Sequence, residues 1–116
     1  MRRLLITGAA CALALNAAML PAQAGSTTKK VTVGDDYYGP TKLTVRKGTT
    51  IKWVWLEGNV NSHNVKLKKG PRGVKRFKSA SAASQFTYKK RLTVPGTYYL
   101  VCTLHQTMTM KVVVKK

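Results

Sequence analysis

Acidic residues are nearly missing from this chain: Asp35, Asp36 and Glu57 stand alone against 21 lysines and arginines in 116 residues. Histidine is scarcer still, at two, and cysteine also numbers two. These shortages exclude much of enzyme chemistry. No Ser-His-Asp set and no carboxylate pair spaced for general acid–base work is evident. No window carries the 3.6-residue apolar period of an amphipathic helix, and only the Ala- and Ser-rich stretch Ser79–Ser84 reads as a short turn. No internal repeat is present.

The one long apolar run is at the start. Met1-Arg2-Arg3 is basic, Leu4 to Leu20 is rich in Ala and Leu, and Pro21-Ala22-Gln23-Ala24 ends in small residues. That is the layout of a secretory signal peptide, residues 1–24, with cleavage after Ala24. An uncleaved membrane anchor is the rival reading. Thr7, Gly8 and Asn16 interrupt the run, which weakens it as a bilayer span. An exported chain, periplasmic or extracellular, with no transmembrane span after cleavage, is therefore expected. Cys11 would leave with the leader.

The remaining chain would keep a single cysteine, Cys102, which has no internal partner for a disulfide. Its sulfur is then a free thiol, a link between chains, or a metal ligand. Loss of Arg2 and Arg3 would leave 19 basic residues against three acids, a formal net charge of +16. A charge of that size opposes folding through self-repulsion and calls for acidic partners or surfaces.

Residues 25–30 read as a polar tether, and residues 31–116 as one domain. Alternation then dominates. Val31 and Val33 share a face, as do Leu43 and Val45, then Ile51, Trp53 and Trp55, then His63, Val65 and Leu67, then Tyr98, Leu100 and Cys102. Gly39-Pro40, Lys47-Gly48, Glu57-Gly58-Asn59, Lys69-Gly70-Pro71 and Pro95-Gly96 punctuate these runs. Seven or eight short strands with such spacing predict an all-β protein, an antiparallel β-sandwich. The parity turns Cys102 and His63 inward, each at a predicted strand end.

Both histidines outside the leader sit in motifs that share a chemistry. Ser62-His63-Asn64-Val65 carries one imidazole. Cys102-Thr103-Leu104-His105-Gln106-Thr107-Met108-Thr109-Met110 carries a thiol, the second imidazole and two thioethers. Thiolate suits Cu(I), imidazole accepts Cu(I) and Cu(II), and a weak axial thioether completes a one-electron copper site. Structural zinc takes four strong ligands, usually as two close pairs, and only three strong donors with one close pair are present. Taken singly, each residue has a bland reading: a buried cysteine, a strand-end histidine, core methionines. Their convergence in two short motifs favours the metal.

These motifs, with Tyr38-Gly39-Pro40, Lys47-Gly48-Thr49-Thr50-Ile51-Lys52-Trp53 and Pro95-Gly96-Thr97-Tyr98, resemble the cupredoxins, in particular the plastocyanin, amicyanin and pseudoazurin branch. The resemblance covers nearly all of residues 30–115. It implies a Greek-key sandwich, one type 1 (blue) copper ion, and electron transfer rather than catalysis; multicopper oxidases need further histidine motifs that are missing here. By motif, His63, Cys102 and His105 match the equatorial ligands, and Asn64 matches the residue that ties the two ligand loops together, here toward Thr103. The axial ligand is Met108 if the loop follows amicyanin, and Met110 if it follows plastocyanin or pseudoazurin; the register of Lys111-Val112 with the last amicyanin strand favours Met108. Leu104 stands where many relatives have proline, and Val101 where plastocyanin has the tyrosine of a second electron port.

The resemblance further implies an electron exit at His105 beside apolar Leu104. The basic cluster Lys66, Lys68, Lys69, Arg72, Lys75, Arg76 and Lys78 would steer an acidic redox protein toward a monomer. Two other readings remain open from sequence. One is copper delivery or storage. The other is a basic module binding anionic cell-surface polymers, without specific nucleic-acid recognition.

Overall fold

β-branched and aromatic residues at alternate positions favour a pleated, half-buried backbone, and strands form over most of the runs that show that pattern. A computed structural model describes residues 27–116; the expected leader and its cleavage point lie outside them. Eight strands follow one another: β1 (Thr28–Gly34), β2 (Tyr37–Gly39), β3 (Lys42–Arg46), β4 (Thr49–Trp55), β5 (Lys66–Lys69), β6 (Thr87–Leu92), β7 (Gly96–Cys102) and β8 (His105–Lys115). They make two four-stranded sheets, ordered β2-β1-β4-β6 and β3-β8-β7-β5.

The core lies between the sheets. Val31, Val33, Ile51, Trp53 and Trp55 enter it from one side, and Tyr98, Leu100, Cys102, Met108, Met110, Val112 and Val114 from the other. Register is set by this burial. A one-residue slip of β8 would move Met108, Met110, Val112 and Val114 to the outer face and bring Thr109 and Lys111 inward. At about 1.5–3 kcal/mol per buried side chain, that slip would forfeit roughly 6–12 kcal/mol, comparable with the about 5–15 kcal/mol that holds a whole small domain together. Alternation along β7 turns Cys102 inward with Tyr98 and Leu100, while the β7–β8 register runs from Gly96↔Val114 to Val101↔Thr109 and shifts before Cys102↔His105.

The sandwich expected from sequence is present, with differences of detail. Two pairings are parallel, β1 with β4 and β3 with β8, and the others are antiparallel. Of the residues 25–30 expected as a polar tether, Thr28, Lys29 and Lys30 belong to β1 and pair with Thr50, Ile51 and Lys52. Their side chains are exposed, so backbone bonding alone recruits them and no apolar pattern announces it. His63 is not at the end of a regular strand. It lies in the segment before β5, in an isolated bridge to Ala82, with His63 N–H donating to Ala82 O at 2.9 Å and Ala82 N–H returning to His63 O at 3.1 Å. The Ser79–Ser84 stretch is thus the partner of the His63 segment. Among the described residues there is no helix long and apolar enough to cross a membrane.

Candidate metal centre

Cys102 closes β7 and His105 opens β8, with Thr103-Leu104 turning between them. The shift of register between Val101 and Cys102 sets the two side chains together, Cys102 Sγ lying 3.6 Å from His105 Nδ1. His63 reaches the same point from the segment before β5. Its ring centroid is 5.0 Å from that of His105, at an interplanar angle of 44°. The donor atoms of His63, Cys102 and His105 all lie within 4.8 Å of one another. His63 and Cys102 are fully buried, while His105 keeps a partly exposed edge.

Backbone and side-chain hydrogen bonds hold this cluster. Asn64 Oδ1 accepts from Thr103 N–H at 2.9 Å, and Asn64 Nδ2 donates to Thr103 Oγ1 at 2.8 Å and to Ser81 Oγ at 3.2 Å. Trp55 Nε1–H donates to His63 O at 3.1 Å, and the Tyr38 hydroxyl donates to Asn64 O. Burial, with the nearby Cys102 sulfur, pushes the Tyr38 phenol far above its ordinary range, so it remains a donor. Ser79 Oγ accepts from Val65 N–H at 2.9 Å. Asn64 falls on the parity that sequence assigns to the outside, yet it is buried, because the Thr103 turn and Ser81 cover it.

The two nitrogens of His63 have opposite fates. Nε2 lies 2.9 Å from Asp35 Oδ1. Nδ1 has no partner, and among the described residues it is the sole buried side-chain nitrogen or oxygen left so. An unsatisfied buried polar atom costs about 1–3 kcal/mol. Asp35 is held down to about 2 by the Val60 N–H, by His63 and by the Asn61 N–H, so it is an acceptor at neutral pH. Nε2 then carries the proton, and the Nδ1 lone pair is left for a ligand. Two imidazoles, a thiol and nearby thioethers are a soft donor set, and copper fits it.

Comparison with known proteins agrees. Residues 24–115 match the family of copper-binding proteins described as plastocyanin/azurin. The chain belongs to this cupredoxin family. Amicyanin-alpha of Methylorubrum extorquens is 34% identical over 109 residues, covering 92% of this chain and 88% of that protein. Among solved structures, amicyanin of Paracoccus versutus superposes with a TM-score of 0.64 at 30% identity, over 79% of this chain and 83% of that one. The reduced Cu(I) form of an amicyanin variant gives 0.67 at 30% identity, over 81% and 88%.

Within this cupredoxin, Met108 and Met110 are both buried on the inner face of β8. Met110 lies opposite Leu100, and its Sδ accepts the Trp53 indole N–H at 3.4 Å. Leu104 is 53% exposed. The basic cluster does not gather at the metal end. Lys66 pairs beside Val101 and bridges to Lys78 at that end, whereas Pro71 packs at Gly96, where β7 begins.

Sequence reading missed the acids. Asp36 Oδ1 lies 3.3 Å from His105 Nε2, Asp35 contacts His63, and Glu57 sits in the segment leading from β4 to His63. All three acids of the chain therefore stand at the metal end. Exposed Tyr37, Leu56 and Val60 join Leu104 in segments of this same end. The adjacent pair Asp35-Asp36 in an almost acid-free chain was the available signal.

Asn64→Ala leaves the Thr103 N–H without its acceptor. We expect a loss of about 1–3 kcal/mol in urea unfolding and faster hydrogen exchange at the Thr103 amide. An unchanged unfolding midpoint with unchanged Thr103 exchange would show that the tie carries no load.

Proposed function

We propose that this cupredoxin is an exported, monomeric one-electron carrier in which His63, Cys102 and His105 would hold one copper ion, with Met108 as the weak fourth donor. The observation that carries the reading is the buried convergence of two imidazoles and one thiol, with His63 Nδ1 unsatisfied among them. Copper bound there supplies a Cu(II)/Cu(I) couple. The chain's own residues do the rest. Asn64 and Thr103 fix the distance between the two ligand segments. Trp55 and Tyr38 bond the backbone around His63. A scaffold held at so many points suits an electron carrier, because neither oxidation state requires the ligands to move. The partly exposed edge of His105, beside Leu104, is the exit for the electron.

Two points support Met108 over Met110. The Met110 sulfur is turned toward Trp53, two residues deeper along β4 than Trp55, which bonds the His63 segment. Met108 lies nearer the Cys102↔His105 end of the β7–β8 pairing. No open position for a substrate is part of this reading, and the protein is not an enzyme in it. Voltammetry on the copper-loaded protein tests both claims. The wild type gives a reversible one-electron wave, Met108→Gln shifts its potential and its visible spectrum, and Met110→Gln changes neither. Loss of copper on reduction would instead favour delivery or storage, and the reverse pattern in the two variants would move the axial ligand to Met110.

The partner in this reading is an acidic redox protein. Lys66 and Lys78 flank the metal end, and Lys68, Lys69, Arg72, Lys75 and Arg76 extend the positive field along the β5 side. Association with an acidic donor should slow markedly as ionic strength rises from about 0.01 M to 0.15 M, where the screening length falls from roughly 30 Å to 8 Å. Rates that are flat across that range would remove the steering role.

A further inference from the structure

The two-residue turn between β1 and β2 is built from Asp35 and Asp36, and it places a carboxylate beside each histidine. The two contacts differ in kind. Asp35 Oδ1 lies 2.9 Å from Nε2 of fully buried His63. Its carboxylate is itself fixed, Oδ2 accepting from Val60 N–H at 2.8 Å and Oδ1 from Asn61 N–H at 3.0 Å. Asp36 is largely exposed and reaches His105 Nε2 only at 3.3 Å. The turn is tight: Asp36 takes φ 67°, and a Cβ on Gly34 would collide with the Tyr37 ring.

We propose that Asp35 is a positioning residue of the metal centre, which holds His63 as the Nε2–H tautomer with Nδ1 aimed at the metal and favours Cu(II) over Cu(I). The proposal rests on the copper reading above and deepens it. A carboxylate hydrogen-bonded to the outer nitrogen of a ligating imidazole fixes the ring's tautomer and orientation and raises its basicity as a donor. A more basic imidazole stabilises the higher oxidation state. Because Asp35 is anchored by two backbone N–H groups, it holds the ring in place and does not follow it. The link spans 28 residues of sequence and joins the β1–β2 turn to the His63 segment. A competing role is purely structural, in which Asp35 merely caps the Val60-Asn61 loop. That role predicts lower stability and an unmoved potential.

The test uses the copper-loaded wild type, Asp35→Asn and Asp36→Asn, with the potential measured at constant pH and ionic strength. Asp35→Asn should favour Cu(I) by about tenfold, which for one electron is an upward shift of about 59 mV. Asp36→Asn removes the same charge without that hydrogen bond, so its shift should be smaller and should fade in salt. Equal shifts from the two variants would assign the effect to charge alone and overturn the positioning role. An unmoved potential in an Asp35→Asn protein of normal colour would overturn it as well. A second arm needs neither copper nor a variant. In nitrogen-15 NMR of the metal-free wild type, the His63 proton should sit on Nε2, and a proton on Nδ1 alone would contradict the proposal even if Asp35→Asn failed to fold. A wild type that binds copper without a thiolate band would remove the copper reading and this proposal together. An unmoved potential with the band intact removes this proposal alone.

Discussion

Two hydrogen bonds between Asn64 and Thr103 join the segment that carries His63 to the turn between Cys102 and His105. Without that tie the two segments would be joined only through the β5–β7 pairing of Lys66 with Val101 and through packing. Cys102 and His105 are placed by the β7–β8 pairing, and His63 by its bridge to Ala82. Each placement is secure by itself. Their convergence within 4.8 Å depends on the contacts across the gap: Asn64 to Thr103, Trp55 to the His63 carbonyl, and Asp35 to the His63 ring. All are buried or partly buried, where a hydrogen bond is strengthened by the low local dielectric and its loss leaves an unsatisfied group.

Much of this arrangement was legible in the sequence, and the reasons for the remainder are physical. Alternation in Ile51-Lys52-Trp53-Val54-Trp55, and less strictly in Tyr98-Tyr99-Leu100-Val101-Cys102 where Val101 is also buried, marks strands with one inner face, so strand positions and the inward turn of Cys102 could be read directly. The parallel pairings of β1 with β4 and β3 with β8 could not, because side-chain alternation is indifferent to the direction of the neighbouring strand. Thr28–Lys30 join the sheet with no buried side chain, which leaves no signal in hydropathy. Asn64 and Thr103 were legible through family motif, not through periodicity, since parity alone places Asn64 outside. The contact of Asp35 with His63 was invisible for a different reason: it crosses 28 residues between two loops, and no local pattern encodes it.

Charge gives the molecule a polarity that composition conceals. The excess of lysine and arginine suggests a uniformly basic surface, yet all three acids gather at the metal end beside the exposed apolar residues Tyr37, Leu56, Val60 and Leu104. In the proposed reading, the electron would leave through this apolar and mildly acidic end of an otherwise basic chain. The proposed carrier would then separate long-range attraction, through the lysine field, from close docking at the apolar end. The separation suits a carrier that must leave its partner soon after meeting it.

The central claim is that the thiol of Cys102 and the imidazoles of His63 and His105 bind one copper ion together. It is tested most directly by the visible absorption spectrum of the protein loaded with one equivalent of Cu(II), compared with that of Cys102→Ser. The account predicts an intense thiolate-to-copper charge-transfer band in the wild type and its complete loss in Cys102→Ser. A wild-type protein that binds copper without that band, or a band that survives in Cys102→Ser, would contradict it.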